Sequence, residues 1–477
     1  MRRFTVTSFL LTGLAGCSLI PAYQRPALPV AAQWPVAATE AKGLAASDLG
    51  WHAFFTDPAL QQLIALSLEN NRDLRVAALN VQAAQATYLS DRASLFPAVN
   101  ANAGLDRSYT PSSVYLASSP QALDIREYSL GVGAVSWELD LFGSIRSKAK
   151  AARETYLSDS DMALSTQISL VAQISSAYFA WLADRTALAI SQSTAKDQAA
   201  SLRLMQLELA HGTATAMDLA QAETTLDTAN VNVAAYTRQV AQDMDELVLL
   251  AGTPLPQNLL VRMNAVAGLE DEPRLPALPA GLPADLLERR PDIRAAEHTL
   301  LAANANVGAA RAAFFPQITL TANGGAASGG LQSLFASGSG AWLFEPNISL
   351  PIFAGGQNLA NLDVARTEKR IEIATYEKTI QSAFHDVADA LAARDTYVAE
   401  VAAEQALVDA DTRYDQLSVM RFQAGIDNYL NVLVAENALL NARLTLVSLQ
   451  LAARQNSITL YKALGGGWQE YSHAARS

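Results

Sequence analysis

The sequence predicts an α+β chain in which long coiled-coil hairpins carry four β-strands, with an internal duplication. Three observations predict this class. Two stretches, Ser144 to about Ala210 and Gln357 to Ala424, run without a proline. Four shorter stretches alternate apolar and polar residues, the period of a half-buried strand. Blocks of sequence recur at a fixed spacing, the mark of a pseudo-symmetric architecture.

The repeats come in two sets. Asn71-Arg72-Asp73-Leu74-Arg75 returns as Arg290-Pro291-Asp292-Ile293-Arg294, and Arg92-Ala93-Ser94-Leu95-Phe96-Pro97 as Arg311-Ala312-Ala313-Phe314-Phe315-Pro316, both 219 positions on. Gly212, Glu223 and Gly252 return as Gly425, Glu436 and Gly465, 213 positions on. A loop between the two sets absorbs the difference, because loops change length without disturbing helices. The expected division is 1–16 leader, 17–56 N-terminal segment, 57–252 first repeat, 253–282 connector, 283–468 second repeat and 469–477 tail. Seven prolines between Pro254 and Pro291 suit an extended connector.

Each repeat is expected to run helix, two strands, very long helix, return helix. Asp57 to Ala93 is rich in Ala, Leu and Gln and reads as one helix closed by Pro97. A helix of about 65 residues is about 100 Å long at 1.5 Å per residue, more than a globular domain needs. Ile380, Phe384, Val387, Leu391, Val398, Val401 and Val408 step near 3.5 residues, as do Leu170, Ile174, Ala177 and Trp181. That period packs helices with a left-handed supercoil. A single stripe suits an ordinary bundle core equally well, and helix length decides between the two.

The alternating stretches are Val99 to Asp106, Tyr128 to Leu141, Pro316 to Asn323 and Trp342 to Ile352, with loops expected from Ser108 to Arg126 and from Gly324 to Gly340. Such strands suit an outer-membrane barrel or a half-buried soluble sheet. Four strands cannot close around a channel, since barrels of about eight are already filled by side chains. Three chains giving four each would make a twelve-stranded trimeric barrel with an aqueous lumen.

The N-terminus reads as a secretory leader: Met1-Arg2-Arg3, an apolar run from Phe4 to Ala15, then Gly16-Cys17-Ser18. The run is too short to span a bilayer as a helix, which needs about 20 residues. Cys17, the sole cysteine, sits in Leu14-Ala15-Gly16-Cys17, which resembles a lipobox. A covalent lipid on Cys17 is implied, and Ser18 after it suits sorting to the outer membrane. No uninterrupted apolar run of membrane length follows residue 20. The net charge of −12, from 34 basic and 46 acidic residues, argues against nucleic acid as a partner. Five scattered histidines form neither an HExxH nor a nucleophile-elbow pattern, so no catalytic residue and no metal or other cofactor is expected.

The order of elements, the lipobox and the duplication resemble the outer-membrane factor family of tripartite efflux systems, the TolC, OprM and NodT type. Specific segments carry the resemblance: Asp57-Pro58-Ala59-Leu60, Asn70-Asn71-Arg72-Asp73-Leu74, Trp137-Glu138-Leu139-Asp140-Leu141-Phe142-Gly143, Arg289-Arg290-Pro291-Asp292-Ile293, Pro351-Ile352-Phe353-Ala354-Gly355-Gly356, and Arg421 to Leu430. It implies a homotrimer, anchored by lipid in the outer membrane, whose barrel continues as a helical tunnel into the periplasm. The implied partners are a periplasmic adaptor and an inner-membrane transporter of the resistance-nodulation-division type. A duct for type I protein secretion and a periplasmic adaptor lipoprotein remain as alternatives.

The same resemblance places the adaptor-docking tips at His211, Gly212 and Thr213 and at Gln423, Ala424 and Gly425. It makes Asp427 the acidic residue of a periplasmic gate, with Arg421 and Asn431 near it. Asp427 also suits the cap of the return helix, a favoured role for aspartate. The first repeat has Ala214 at the matching position, and Asn431 and Val434 stand where some relatives carry further acids. One charged ring is therefore expected.

Overall fold

The computed structural model describes residues 18–34, 44–111, 123–271, 273, 275–281 and 283–472. The leader and Cys17 lie outside the described residues. The chain is mostly helical with one four-stranded sheet, which is the α+β class. Its elements are α1 (Trp51–Phe54), α2 (Pro58–Asn70), α3 (Arg72–Ala93), β1 (Val99–Thr110), β2 (Leu123–Glu138), α4 (Ser144–Ala210), α5 (Ala216–Ala251), α6 (Gln257–Ala265), α7 (Leu286–Arg289), α8 (Pro291–Ala312), β3 (Gln317–Ser328), β4 (Gly340–Ser349), α9 (Gln357–Gln423) and α10 (Tyr429–Ala463).

Two compact units are present, and both draw on both halves of the sequence. One takes in Asn80–Asp159 and Ala295–Tyr376, the other Leu28–Leu79, Ser160–Arg294 and the chain from Glu377. The first unit holds the antiparallel sheet, ordered β1-β2-β3-β4. Its register sorts the side chains by face. Val99, Ala101, Ala103 and Leu105 lie opposite Ala134, Val132, Leu130 and Tyr128, and on the same face Ile318, Leu320 and Ala322 lie opposite Ile348, Pro346 and Phe344. The other face carries Asn100, Asn102 and Asp106 on β1, Glu127 on β2, Thr319, Thr321 and Asn323 on β3, and Glu345 and Asn347 on β4. A bulge between Ala134 and Trp137 keeps Trp137 opposite Leu320 on the apolar face. Ser136 takes a left-handed backbone there (φ 55°), and its N–H donates to Thr321 Oγ1 at 3.1 Å.

The strands outrun their expected ends on the loop side. β1 reaches Thr110 and β2 begins at Leu123, so Ser108 and Arg126 belong to strands. β3 passes through Gly324 and Gly325 to Ser328, which the sequence reads as loop. Glycine hides this continuation because it lowers strand propensity, while the paired backbone of β2 and β4 keeps the ladder intact. At the other end β2 stops at Glu138 and β4 at Ser349, short of Leu141 and Ile352.

In the second unit a core of Trp51, Phe54, Phe55, Leu63, Ile64, Ile174, Tyr178 and Trp181 is almost fully buried. Asp57 caps α2, accepting from the N–H groups of Ala59 and Leu60 at 2.8 and 3.2 Å. The expected single helix from Asp57 to Ala93 is two helices. The chain turns extended at Asn71 (φ −60°, ψ 135°), whose Oδ1 accepts from Asp73 and Leu74 N–H and restarts the helix. Asn71 Nδ2 donates to Leu250 O at 2.9 Å. In the second half Arg290 breaks the helix and donates to Ala463 O at 3.1 Å. Gly252 and Gly465 follow these carbonyls with φ of 69° and 80°, and a Cβ on either would stand 2.4–2.5 Å from a backbone oxygen, of Asn70 and Arg289. The expected extended connector holds the nine-residue α6, which buries Leu259 and Met263 completely.

The long helices match their expected limits, 67 residues in each case. Along α9, Ile380, Val387 and Leu391 are buried, and Val408 packs with Leu439, Ala442 and Leu446 of α10. Val398 departs from the expected seam and is 70 % exposed. Among the described residues, α10 is long and apolar enough to cross a membrane by length and composition, although no uninterrupted run was expected. Glu436 and Arg443 interrupt it, and Val432, Leu433, Leu439 and Leu446 pack in clusters with other helices.

Candidate gate at the hairpin tips

Each long helix ends in the same turn. In the first, His211, Gly212 and Thr213 N–H donate to Leu207, Leu209 and Glu208 carbonyls at 2.9–3.0 Å, with Gly212 left-handed at φ 75°. In the second, Ala424, Gly425 and Ile426 N–H donate to Met420, Phe422 and Arg421 carbonyls at 2.9–3.0 Å, with Gly425 at φ 69°. This is the Schellman closure, which satisfies the last carbonyls of a helix and needs glycine at the left-handed position. Nothing stands within 4 Å of either glycine's missing Cβ, so backbone conformation alone selects it.

Below the turns the hairpins share one apolar cluster: Met205 of α4, Ala222 of α5, and Tyr429, Val432 and Leu433 of α10, all at most 5 % exposed. Phe422 leans on it, its ring 5.4 Å from that of Tyr429. Deeper in, Gln198 Nε2 of α4 donates to Glu436 Oε2 of α10 at 2.6 Å. Burial raises the Glu436 carboxyl above its ordinary range, and the Gln198 bond opposes that rise.

The turns differ in how the return helix begins. Thr215 caps α5 in a reciprocal capping box, its Oγ1 accepting from Asp218 N–H while Asp218 accepts from Thr215 N–H. The N-cap of α10 is Asn428, which makes no side-chain cap bond, and Asn431 occupies the place of Asp218. Asp427, expected as gate or cap, does not cap. It accepts from Arg421 instead, at 2.5 Å from Nε and 3.1 Å from Nη2. The hydrogen bond to Arg421 holds the Asp427 carboxyl below its usual range. The structure thus joins two of the three expected gate residues across the turn, and Asn431 stands exposed, with no bond to either described. The capping box was readable in the sequence as Thr-x-x-Asp. The Arg421–Asp427 pair was not, since its six-residue separation becomes a contact only through the turn.

The profile of the outer membrane efflux protein family matches residues 63–253 and 282–466. The chain belongs to the outer membrane efflux protein family. It is 46 % identical to the toluene efflux pump outer membrane protein TtgC of Pseudomonas putida over 474 residues, 98 % of this chain and 96 % of that one. The outer membrane protein OprJ of Pseudomonas aeruginosa is 38 % identical over 98 % of this chain and 96 % of its own length. Among solved structures, the open state of the Neisseria gonorrhoeae MtrE outer membrane channel superposes with a TM-score of 0.86 at 36 % identity, covering 96 % of this chain and all of that one. This efflux protein therefore works in the outer membrane, as the exit channel of an efflux pump.

Proposed function

We propose that three copies close their sheets into a twelve-stranded barrel continued by the helical hairpins as a periplasmic tunnel, through which small molecules leave the cell. The observation that carries this is the sorting of the sheet by face. One face is an apolar field in which Val99, Leu105, Val132, Trp342, Phe344 and Ile348 are 56–82 % exposed, with charge only at one end, and the other is mostly polar, with Leu123, Ile125 and Leu343 as its large apolar residues. Lipid outside and water inside ask for that alternation. Within one chain β1 and β4 each keep one unpaired edge, and closure between copies removes them. At the helix-proximal ends of the strands Phe96, Phe315 and Phe353 are exposed, as an interfacial aromatic belt would be.

A lipid on Cys17 is part of this reading, and the residues that follow it are held against α8. Leu19 O accepts from Arg311 in the last turn of α8, and Pro21 O from Asn304. Tyr23 and Arg25 both donate to Glu297. This lays residues 19–25 along α8, with Leu19 toward the start of β3. The pairing of Gly252 with Asn70 and of Gly465 with Arg289 suits a duplicated ancestor. The exposed tips at His211–Thr213 and Gln423–Gly425 would receive a periplasmic adaptor, and an inner-membrane transporter of the resistance-nodulation-division type would feed the tunnel. The names of the relatives favour solvents and antibiotics over proteins as cargo.

Native mass spectrometry of detergent-extracted protein, with planar-bilayer conductance on the same preparation, tests the reading. A lipidated trimer that conducts is expected. A monomer without conductance would overturn it. Cys17→Ser is expected to abolish palmitate incorporation and leave the fold intact.

A further inference from the structure

The apolar face carries charge in one place, at the end away from the helices. Arg107 and Arg126 lie directly opposite each other on the otherwise apolar face, and Tyr109 lies opposite Asp124 one pair further on. Like charges in direct register repel, so this pair has a cost that something must offset. Asp124 offsets part of it, accepting from Arg107 at 2.8 and 3.1 Å and standing 3.6 Å from Arg126. One positive charge is left over, on guanidinium groups 57 % and 51 % exposed.

Among the described residues no other charge on this face answers it. The carboxylates of Asp106 and Glu127 belong to the opposite face. The segment from Ser108 to Leu123 carries no charged residue, and none occurs between Arg311 and Glu345. Immediately below the arginines is a groove of about 420 Å³, lined by Ala103, Leu105, Tyr128 and Leu130 of the strands and by Leu331 and Leu334 of the β3–β4 loop. Leu105 and Tyr128 are each two residues from an arginine, so charge and groove are about 7 Å apart along the strands.

We propose that this patch binds the phosphorylated glycolipid of the outer leaflet, a phosphate resting on Arg107 and Arg126 and an acyl chain lying in the groove. The proposal rests on the barrel reading, which turns this face to lipid and this end outward. Two guanidinium groups present paired donors to phosphate oxygens, the geometry for which arginine is selected. Exposed Tyr109 would stand at headgroup level, the usual place for an amphipathic ring.

The test is retention of lipid A through extensive washing in mild detergent, read by native mass spectrometry, with conductance measured alongside. The wild-type channel is expected to keep bound bisphosphorylated lipid A. Arg107→Gln with Arg126→Gln is expected to lose it roughly tenfold while conducting normally, as removal of charge-assisted hydrogen bonds implies. Asp124→Asn, which frees both arginines from their shared carboxylate, is expected to retain more. Equal retention in the double variant, or a selective loss of glycerophospholipid in place of lipid A, overturns the site. A wild-type chain that neither inserts nor conducts overturns the barrel reading first, and the conductance record separates that failure from the other.

Discussion

Asp427 is held by one partner, and that partner defines what it can do. Its carboxylate spends both oxygens on Arg421, so the second tip carries an internal ion pair in place of a free acid. The pair is solvent-exposed, so its worth to global stability is small and screened by salt. Its effect is local, tying the end of α9 to the start of α10. Arg421→Ala is expected to leave the melting temperature unchanged and raise the conductance of the resting channel, because the turn loses its cross-link and the ring its counter-charge. Single-channel recording checks this, and unchanged resting conductance would remove the pair from the gate. High salt should move the wild type toward the variant. The sequence marked Asp427 and Arg421 separately; their contact depends on a left-handed Gly425, a dihedral angle that a string of letters does not display.

Among elements, the two hairpins close alike and open differently. Helix α5 starts with its N–H groups satisfied by Thr215 and Asp218, and α10 starts without a side-chain cap. Transplanting the box as Asn428→Thr with Asn431→Asp is expected to stabilise the first turn of α10 by about 1 kcal/mol, the usual worth of an N-cap. Slower amide exchange confined to residues 429–433 would show it. A second contrast lies between α4 and α5, where burial and the neighbouring Asp243 carboxylate push Asp184 from 3.8 up to about 7. The folded state favours the proton, so the stabilising contribution is complete below pH 4 and is lost as pH rises through 7. Once base-catalysed intrinsic exchange is divided out, amide protection in the hairpin should therefore be weaker at pH 8 than at pH 5, and Asp184→Asn should flatten that dependence; an unchanged slope in the variant would refute the assignment. Long helices were legible because an absence of proline over 67 residues has few other meanings. The break at Asn71 was not, since asparagine interrupts a helix only where a carbonyl such as that of Leu250 waits to receive it.

For the whole molecule, the charge excess of acid over base takes on meaning only when sorted by surface. The apolar field of the sheet admits the Arg107, Arg126 and Asp124 group alone, and the polar face keeps Asp106 directly opposite Glu127. In a closed barrel of three copies those two carboxylates would repeat around the lumen near its outer mouth. Rings of like charge in a pore concentrate counter-ions and exclude co-ions, as acidic rings do in cation channels. Cation preference should thus come from the mouth, because Arg421 neutralises Asp427 at the tip. Asp106→Asn with Glu127→Gln leaves the tips intact and changes neither strand pairing nor side-chain volume appreciably. Under a salt gradient its reversal potential is expected to shift toward the anion side, while trimer stability holds or rises slightly because like charges directly opposite each other repel. Arg421→Ala, by contrast, should change how often the channel conducts and leave this outer selectivity in place. If the mouth variant keeps the wild-type reversal potential, Asp106 and Glu127 do not face the conducting path, and the assignment of the polar face to the lumen fails with it.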